Sequence, residues 1–337
     1  MATTLRIATF NLENLRDDPD AEPPLDARIR VLRPQLEHLA ADVLCLQEVD
    51  GQDRPGGGPR ELHALGGLLA GTRYAAYHRI ASHSPSGPAR GVADKHNLVI
   101  LSRFPVRASG QVRHDLVPPP SYRPVTAEPP AAAPGELTWD RPCVHATVDL
   151  PDGRPLHVVN LHLRAPLAAS VPGQKESAFV WRGVPGWAEG FFMATVKRVG
   201  QATEARMLVD RFLDADPDAL ICIAGDCNAE EREMPLRVLR ADPDDTGNAA
   251  LAPRGLVNLE HRVPAEQRFT VRHGGRALML DHILASRALA DAVTDVTIQN
   301  TGLGDELVAH AAAHHSPESY HAPMAAEFDL GGTPSPS

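Results

Sequence analysis

Short apolar runs that end abruptly in polar side chains recur along this chain. The clearest run covers residues 220–228, in which Leu, Ile, Cys and Ala are followed by Asp226 and Asn228. A short apolar run bounded by proline and glycine predicts a strand that is buried on both faces. Oxygen-bearing side chains at the end of such a strand need a partner, and a hard metal ion or a phosphate is a common one.

The same pattern predicts the order of the other elements. Residues 5–12 and 42–49 predict two strands, and the helical spacing of apolar residues between them predicts a strand, helix, strand unit. Residues 97–102 and 106–112 predict a hairpin that turns at residues 103–105. A long helix is predicted at 194–213, and further strands at 143–150, 156–161, 268–273, 278–284, 293–298 and 322–328. We therefore predict an α/β (α+β) fold of two mixed sheets packed face to face, with helices outside.

Two long stretches lack periodicity, at about 113–140 and 164–192. Since no clean linker separates the elements, we predict a single domain over residues 1–330 with these two irregular excursions, followed by a disordered tail over 331–337. The second excursion is rich in aromatic residues: Phe179, Trp181, Trp187, Phe191 and Phe192. Such rings form either a lid over the substrate or, more commonly, contacts with the core.

Composition narrows the functional classes. The four cysteines are scattered without a CxxC pair, so the sequence predicts neither a zinc site nor a disulfide framework. The formal net charge of −10 disfavours a broad electrostatic grip on nucleic acid, although it leaves a local basic groove open. No apolar run has the length of a membrane span, so we expect a cytoplasmic protein without stable membrane insertion.

Six predicted strand ends or following loops carry amide, carboxylate or imidazole groups. They contain, in chain order, Asn11, Glu13 and Asn14; Gln47 and Glu48; Asn160 and His162; Asp226 and Asn228; Asp281 and His282; and Ser319, Tyr320 and His321. Their order and spacing over residues 10–328 resemble the endonuclease/exonuclease/phosphatase superfamily. These metal-dependent phosphoesterases include pancreatic-type deoxyribonucleases, neutral sphingomyelinases and inositol polyphosphate 5-phosphatases. The resemblance implies the DNase I-like fold, a four-layer sandwich of two sheets flanked by helices.

The resemblance also implies a metal site. Glu48 and Asn11 match the place where the family holds its ion, and Mg²⁺ or Mn²⁺ favours carboxylate and amide oxygens. Asp226 matches the residue that orients or deprotonates the attacking water. Asn228, two residues further on the same side of the extended chain, matches the residue that holds a phosphoryl oxygen or the same ion.

Two histidines complete the catalytic set implied by the resemblance. His162, in the Asn-x-His motif, would donate a hydrogen bond or a proton to the ester oxygens. His321 matches the terminal histidine that contacts the scissile phosphate. Asp281 matches the carboxylate that sets the tautomer of that histidine.

One position departs from the family pattern. The family's last motif is Ser-Asp-His followed shortly by proline, whereas residues 319–323 read Ser-Tyr-His-Ala-Pro. The phenol of Tyr320, with an ordinary pKa of about 10, is a poor ligand for Mg²⁺ near neutral pH. We therefore expect the ion to be held more weakly by Glu48, Asn11 and water, or to shift toward Asp226 and Asn228.

The sequence thus predicts a metal-dependent hydrolase that acts on a phosphodiester, with nucleic acid as one open substrate. A phosphomonoesterase of the inositol-phosphate type would need a cluster of Lys and Arg, which does not follow Asn228. A sphingomyelinase-like enzyme would need an exposed apolar rim, for which Trp181, Trp187, Phe191 and Phe192 are the candidates. A catalytically impaired binding module is the alternative suggested by Tyr320.

The roles of two further groups of residues have more than one interpretation. Arg90, Lys95 and His96 precede a predicted edge strand and would either contact phosphate or form plain surface. The histidines His282, His314 and His315 are interpreted as solvated rather than metal-binding.

Overall fold

The computed structural model describes residues 4–53, 56–311 and 316–331. His314, His315 and tail residues 332–337 lie outside the described residues. The strands are β1 Thr4–Leu15, β2 Val43–Val49, β3 His78–Ala81, β4 Asn97–Ser102, β5 Val106–Val112, β6 Ser121–Tyr122, β7 Gly135–Glu136, β8 Cys143–Asp149, β9 Pro155–His162, β10 Leu220–Asp226, β11 Val257–Asn258, β12 Val271–His273, β13 Arg276–Leu278, β14 Asp281–Ala285, β15 Val293–Ile298 and β16 Met324–Asp329. The α-helices are α1 Leu25–Leu39, α2 His63–Leu69, α3 Val184–Ala215, α4 Met234–Arg240, α5 Pro243–Thr246, α6 Arg287–Ala290 and α7 Glu306–Ala311.

Within these described residues, two six-stranded sheets form the body of the fold. The first sheet has the order β15-β16-β1-β2-β4-β3 and the second β11-β14-β10-β9-β8-β5. Both are mixed, because β1 and β2 run parallel, as do β9 and β10, while the other pairs are antiparallel. The predicted fold class of two mixed sheets flanked by helices is confirmed. No helix in the described part of the chain is long and apolar enough to cross a membrane.

The core explains why the strands appear as continuous apolar runs. One buried cluster lies between the sheets and draws Ile7 and Cys45 from the first sheet and Cys222 from the second. On the outer faces, α1 and α2 bury residues such as Leu32 against the first sheet, and α3 and α4 bury residues such as Leu208 against the second. Central strands are therefore buried on both faces, which removes the alternation of a half-exposed strand.

The predicted hairpin at residues 97–112 is wrong. β4 pairs with β2 and β3 in the first sheet, whereas β5 pairs with β8 in the second. The hydroxyl of Ser102 accepts the N–H of Phe104 and donates to the carbonyl of Phe104, each at 3.0 Å, where the chain crosses between the sheets. A short loop between two apolar runs indicates a reversal of direction but does not identify the partner strand.

The second irregular excursion is shorter than predicted, because α3 begins at Val184 instead of residue 194. Pro185 occupies the first turn, where a proline is compatible with a helix. The apolar pattern did not predict the first turns of α3, because their aromatic rings face solvent and not the core. The side chains of Trp187, Phe191 and Phe192 are 44%, 36% and 49% exposed. Phe179 is also exposed, and Trp181 alone among these five packs against a buried cluster. The favoured prediction that these rings contact the core was therefore wrong for four of the five.

Candidate active site

The polar strand ends meet at one edge of the stacked sheets. In the first sheet, Asn11 on β1 pairs with the residue before Glu48 on β2. In the second sheet, Asp226 on β10 pairs with His162 on β9 and with Asp281 on β14. Strands that run parallel end on the same side, so the packed sheets bring both sets of side chains into one cleft. The structure brings together all seven predicted site residues: Asn11, Glu48, His162, Asp226, Asn228, Asp281 and His321.

Asn11 joins the two sheets at the bottom of the cleft. Its Nδ2 donates to Oε1 of Glu48 at 3.2 Å and to Oδ2 of Asp226 at 3.0 Å. Its amide oxygen accepts the backbone N–H of Glu13 at 2.9 Å. In this orientation a nitrogen faces the two carboxylates, so the ligand role of Asn11 stays a prediction that requires its amide group to turn over.

His162 lies between the same two carboxylates. Its Nε2 is 3.3 Å from Oδ2 of Asp226 and 3.7 Å from Oε1 of Glu48. Burial, together with the charge of Arg141, lowers the pKa of His162 well below its ordinary value. A neutral imidazole donates one hydrogen bond but is a poor acid, so this histidine suits hydrogen-bond donation better than proton donation.

Asp226 and Asn228 form a tight turn after β10. Oδ1 of Asp226 accepts the backbone N–H of Asn228 at 2.8 Å, and the Asn228 amide donates to Oδ2 at 3.2 Å. The preceding Gly225 has φ +150°, and a Cβ there would lie 2.0 Å from the carbonyl oxygen of Leu161, so only glycine fits. Burial and the nearby charge of Asp281 raise the pKa of Asp226 to about 7. This value suits a group that accepts a proton near neutral pH.

His321 and Asp281 form a pair in which the carboxylate is buried and the imidazole is partly exposed to the cleft. Nδ1 of His321 lies 2.8 Å from Oδ2 of Asp281. Burial opposes the charge on His321, but the Asp281 carboxylate outweighs it and raises the pKa of His321 well above its ordinary value. The hydroxyl of Ser319 accepts the N–H of His321 and donates to the carbonyl of Asn11, which ties this motif to β1. The geometry holds a cationic imidazole at the edge of the cleft.

The donor set fits a hard divalent cation. Ligand atoms of Glu48, His162 and Asp226 lie within 4.8 Å of one another, and so do those of Asp226, Asp281 and His321. Oδ1 of Asp281 is buried without a hydrogen-bond partner in the described part of the chain. Crowded carboxylates with an unsatisfied oxygen repel one another, and a bound cation would relieve that repulsion.

Arg141 was missed by the sequence reasoning. Its Nη2 donates to Nδ1 of His96 at 3.0 Å, and its Nη1 donates to the carbonyl of His162 at 3.3 Å. The positive charge of Arg141 acts on Glu48 and Asp226. It lies between the first irregular excursion and β8, where the only signal was a single arginine next to a buried strand.

Of the three basic residues that precede β4, the structure brings His96 to the site. The ring of His96 lies 6.0 Å from that of His162, and its Nε2 donates to Oδ1 of Asn14 at 2.9 Å. Arg90 and Lys95 are exposed. His96 therefore stays a candidate for phosphate contact, whereas Arg90 and Lys95 form exposed surface.

Helix α3 supports the loops of the site from behind. Nη1 of Arg198 donates to the carbonyl of Asn228 at 2.6 Å. Nε2 of Gln201 donates to the carbonyls of Arg141 and His162, each at 3.1 Å. Both side chains are buried, and their spacing of three residues on the inner face of a helix was the available signal.

His282 does not face solvent, so its interpretation as a solvated histidine was wrong. Its Nδ1 lies 2.8 Å from Oε1 of Glu260, and its Nε2 donates to the carbonyl of Ala229 at 2.8 Å. Because side chains alternate along a strand, Asp281 and His282 point to opposite faces of β14. His282 therefore lies behind the cleft, not in it.

Comparisons with known proteins agree with this fold. The model of the endonuclease/exonuclease/phosphatase family matches residues 8–305.

Solved structures with the same fold are similar over nearly the whole chain. Truncated TDP2 from Caenorhabditis elegans shares 16% identity over 97% of this chain and 98% of that chain, with a TM-score of 0.57. A Bacteroides thetaiotaomicron mannosyl-6-phosphatase shares 15% identity over 96% and 98%, with a TM-score of 0.55. The 3′ phosphatase NExo from Neisseria, bound to a product DNA hairpin, shares 18% identity over 97% and 100%, with a TM-score of 0.51. At these identities the likenesses establish the fold alone. A comparison with curated protein sequences found no match.

Proposed function

The chain belongs to the endonuclease/exonuclease/phosphatase family of phosphoester hydrolases, and from this premise we propose that it hydrolyses a phosphodiester with water activated at Asp226. One observation carries the proposal. The Asp226 carboxylate, with a pKa raised to about 7, lies within 4.8 Å of ligand atoms of Glu48 and His162 on one side and of Asp281 and His321 on the other. A proton acceptor, potential metal ligands and a cationic donor therefore surround one small volume.

The metal site of the proposal uses side chains from both sheets. Glu48 and Asp226 would hold Mg²⁺ or Mn²⁺, with Asn11 and Asn228 as the further ligands expected from the sequence. When bound, such an ion neutralises charge on the phosphoryl oxygens and stabilises the leaving alkoxide.

The protein's own groups supply the remaining chemistry. Asp226 accepts the proton of the attacking water. The Asn228 amide donates to Asp226 and to the carbonyl of Leu163, so it orients the phosphate by exchanging one of these hydrogen bonds. His162, neutral in its buried position, donates a hydrogen bond to a phosphoryl oxygen. His321, kept cationic by Asp281, donates to another phosphoryl oxygen, where negative charge increases in the transition state.

Charge alone does not separate a diester from a monoester. Glu48, Asp226 and Asp281 contribute three carboxylates to the cleft, and the proposed divalent cation, the guanidinium of Arg141 and the imidazolium of His321 balance them. A diester carries one negative charge and a monoester nearly two at neutral pH, so direct comparison of the two substrates is needed.

Monoester hydrolysis is the second candidate function. It is favoured by two structural neighbours, whose names describe a mannosyl-6-phosphatase and a 3′ phosphatase. Nucleic acid is supported as a substrate class by neighbours solved with a DNA hairpin and with a single-strand DNA product. A lipid diester is supported by the exposed rings of Trp187, Phe191 and Phe192. A cytoplasmic location remains part of the proposal.

Chromogenic esters test the proposed reaction. Hydrolysis of bis-(p-nitrophenyl) phosphate and of p-nitrophenyl phosphate is measured with Mg²⁺, with Mn²⁺ and with EDTA, in the wild type and in His162→Ala. We expect metal-dependent turnover of the diester that exceeds turnover of the monoester and that falls in the variant. Preference for the monoester would establish the second candidate. No turnover with either metal would favour the binding module suggested by Tyr320.

A second experiment tests whether Tyr320 weakens the metal site. Tyr320→Asp restores the acid of the family motif, so we expect half-maximal activity at a lower Mg²⁺ concentration. Tyr320→Phe is the matched control, since it removes the hydroxyl without adding a ligand. An Mg²⁺ titration that is the same in the wild type and in Tyr320→Asp would contradict the hypothesis.

A further inference from the structure

A cavity of about 310 Å³ lies beside the candidate active site. It borders the site through Glu48: Oε1 of Glu48 faces Asn11 and His162, whereas Oε2 accepts the backbone N–H of Asn14 at 3.1 Å. Asn14 lines the cavity, as does Tyr320, which precedes His321. The charged residues that line it are Glu13, Arg16, Glu22, Arg28 and Glu318.

The direction of the proposed reaction connects this cavity to the substrate. In-line displacement at phosphorus puts the leaving oxygen opposite the attacking water. With the water activated at Asp226, we propose that the leaving alcohol emerges on the Glu48 side and binds in this cavity, which is built for an uncharged, polyhydroxylated alcohol such as a sugar. This inference rests on the proposed function and specifies its substrate class.

Glu13 supplies the main recognition group. Its Oε2 accepts the backbone N–H of Tyr320 at 2.7 Å, which holds the carboxylate in the wall of the cavity. Within the described residues, its Oε1 accepts no hydrogen bond from the protein. A carboxyl group with one oxygen in use offers the other to a hydroxyl group that enters the cavity.

The charges of the wall select against charged alcohols. Glu22 and Glu318 oppose a second phosphate on the leaving group. Arg28 and Arg16 oppose an amine, and Arg28 in particular is buried with its guanidinium donating to the carbonyls of residues 12, 13 and 317. A hydroxyl group is uncharged and both donates and accepts hydrogen bonds, so it suits a wall of mixed charge.

Tyr320 adds an apolar face to the same wall. It is 6% exposed and lines the cavity at the position where the family motif has aspartate. Carbohydrate rings carry C–H faces that pack on aromatic rings while their hydroxyl groups reach polar partners. Tyr320 in place of the family's aspartate therefore has two effects. It removes one expected metal ligand, and it adds an aromatic ring to the wall of the leaving-group cavity.

Two alkyl diesters test the inference with the full chain and Mg²⁺. They are glucose 6-(methyl phosphate) and cyclohexylmethyl methyl phosphate, which both release a primary alkoxide from a six-membered ring and differ in their hydroxyl groups. Release of methyl phosphate is followed by ³¹P NMR. We expect kcat/KM for the glucose ester to exceed that for the cyclohexyl ester by about tenfold, the effect of one or two hydrogen bonds. A ratio near one would overturn the inference.

A variant then assigns the effect to the cavity. Glu13→Gln replaces one carboxyl oxygen by an amide nitrogen that cannot accept a hydrogen bond, so we expect the ratio of the two kcat/KM values to fall about tenfold. Glu37→Gln, an exposed position on α1, is the matched control and should leave the ratio unchanged. Thermal unfolding shows whether each variant is folded, and the wild-type ratio decides the question if Glu13→Gln is not.

The remaining outcomes separate this inference from the proposed function. An equal fall for both esters in Glu13→Gln, with a weaker Mg²⁺ titration, would make Glu13 a metal-site residue and overturn its assignment to the leaving group. Hydrolysis of bis-(p-nitrophenyl) phosphate without hydrolysis of either alkyl ester would overturn the inference alone. Failure to hydrolyse any of the three diesters would overturn the proposed function itself.

Discussion

Two histidine–carboxylate pairs lie on opposite faces of one strand. Asp281 and His282 are neighbours on β14, and each is paired at 2.8 Å: Asp281 with His321 at the cleft, and His282 with Glu260 behind it. In both pairs the carboxylate raises the pKa of the histidine, to about 9 for His282 and well above the ordinary value for His321. By residue type and distance the pairs are equivalent.

They differ in what the second ring nitrogen contacts. Nε2 of His282 donates to the carbonyl of Ala229, and its side chain is 0% exposed. Nε2 of His321 has no hydrogen-bond partner in the described part of the chain, and its side chain is 15% exposed at the cleft. A histidine with both nitrogens satisfied stabilises the fold, whereas one with a free N–H next to potential metal ligands can act on a substrate.

The largest effect that tests this difference is on activity. In His321→Gln, we expect kcat/KM for bis-(p-nitrophenyl) phosphate to fall about 10³-fold, within the range for loss of a positioned acid or base group. Because the substitution also removes the cationic partner of buried Asp281, activity is compared well below the melting temperature of the variant. A variant that melts much earlier but keeps its activity would reverse the roles of the two pairs.

The next effect is on stability. Glu260→Gln leaves His282 without its counter-charge in a buried position, and we expect a loss of about 3–5 kcal/mol in the free energy of unfolding. Urea denaturation measures this loss. Specific activity below the unfolding transition should stay near that of the wild type, and a loss of activity without a loss of stability would place Glu260 in the reaction.

A smaller effect tests how Asp281 acts. Asp281→Asn keeps a hydrogen-bond acceptor for His321 but removes the negative charge, so we expect kcat to fall about 10- to 100-fold. The pKa of His321 should fall as well, and the alkaline limb of the pH profile should move to lower pH. An unchanged profile would show that Asp281 does not hold the charge on His321.

The smallest effect is the pH dependence of stability that arises from His282. An unfolded histidine loses its proton near pH 6.5, whereas folded His282 keeps its proton up to about pH 9. The contribution of the pair is therefore fully present below pH 6.5 and is lost as the pH rises through about 9, by at most about 1.4 kcal/mol per pH unit. Denaturation curves across this window measure the slope, which should be flatter in His282→Gln.

Local pattern was enough to predict the strands and the polar groups at their ends. An apolar run and the residue that ends it are adjacent in the chain, so the strand of Asp226 and the position of that residue at its end follow from a few neighbouring residues. The spacing of the motifs supplied the family, and with it the partners of Asp226. The pairing of His321 with Asp281, 40 residues apart, was expected only through that resemblance.

The tertiary structure decided what depends on distant contacts. Sequence order does not state which sheet a strand joins, and β5 therefore joined the second sheet instead of forming a hairpin with β4. Neighbours on a strand point to opposite faces, so Asp281 and His282 received different roles only when the packing of β14 was known. Arg141 reaches the site because the irregular segment before β8 brings it next to His162. Glu13 lines the cavity because its carboxylate accepts the backbone N–H of Tyr320. The sequence identifies the chemical group of each side chain, but tertiary packing decides its partners and its access to the cleft.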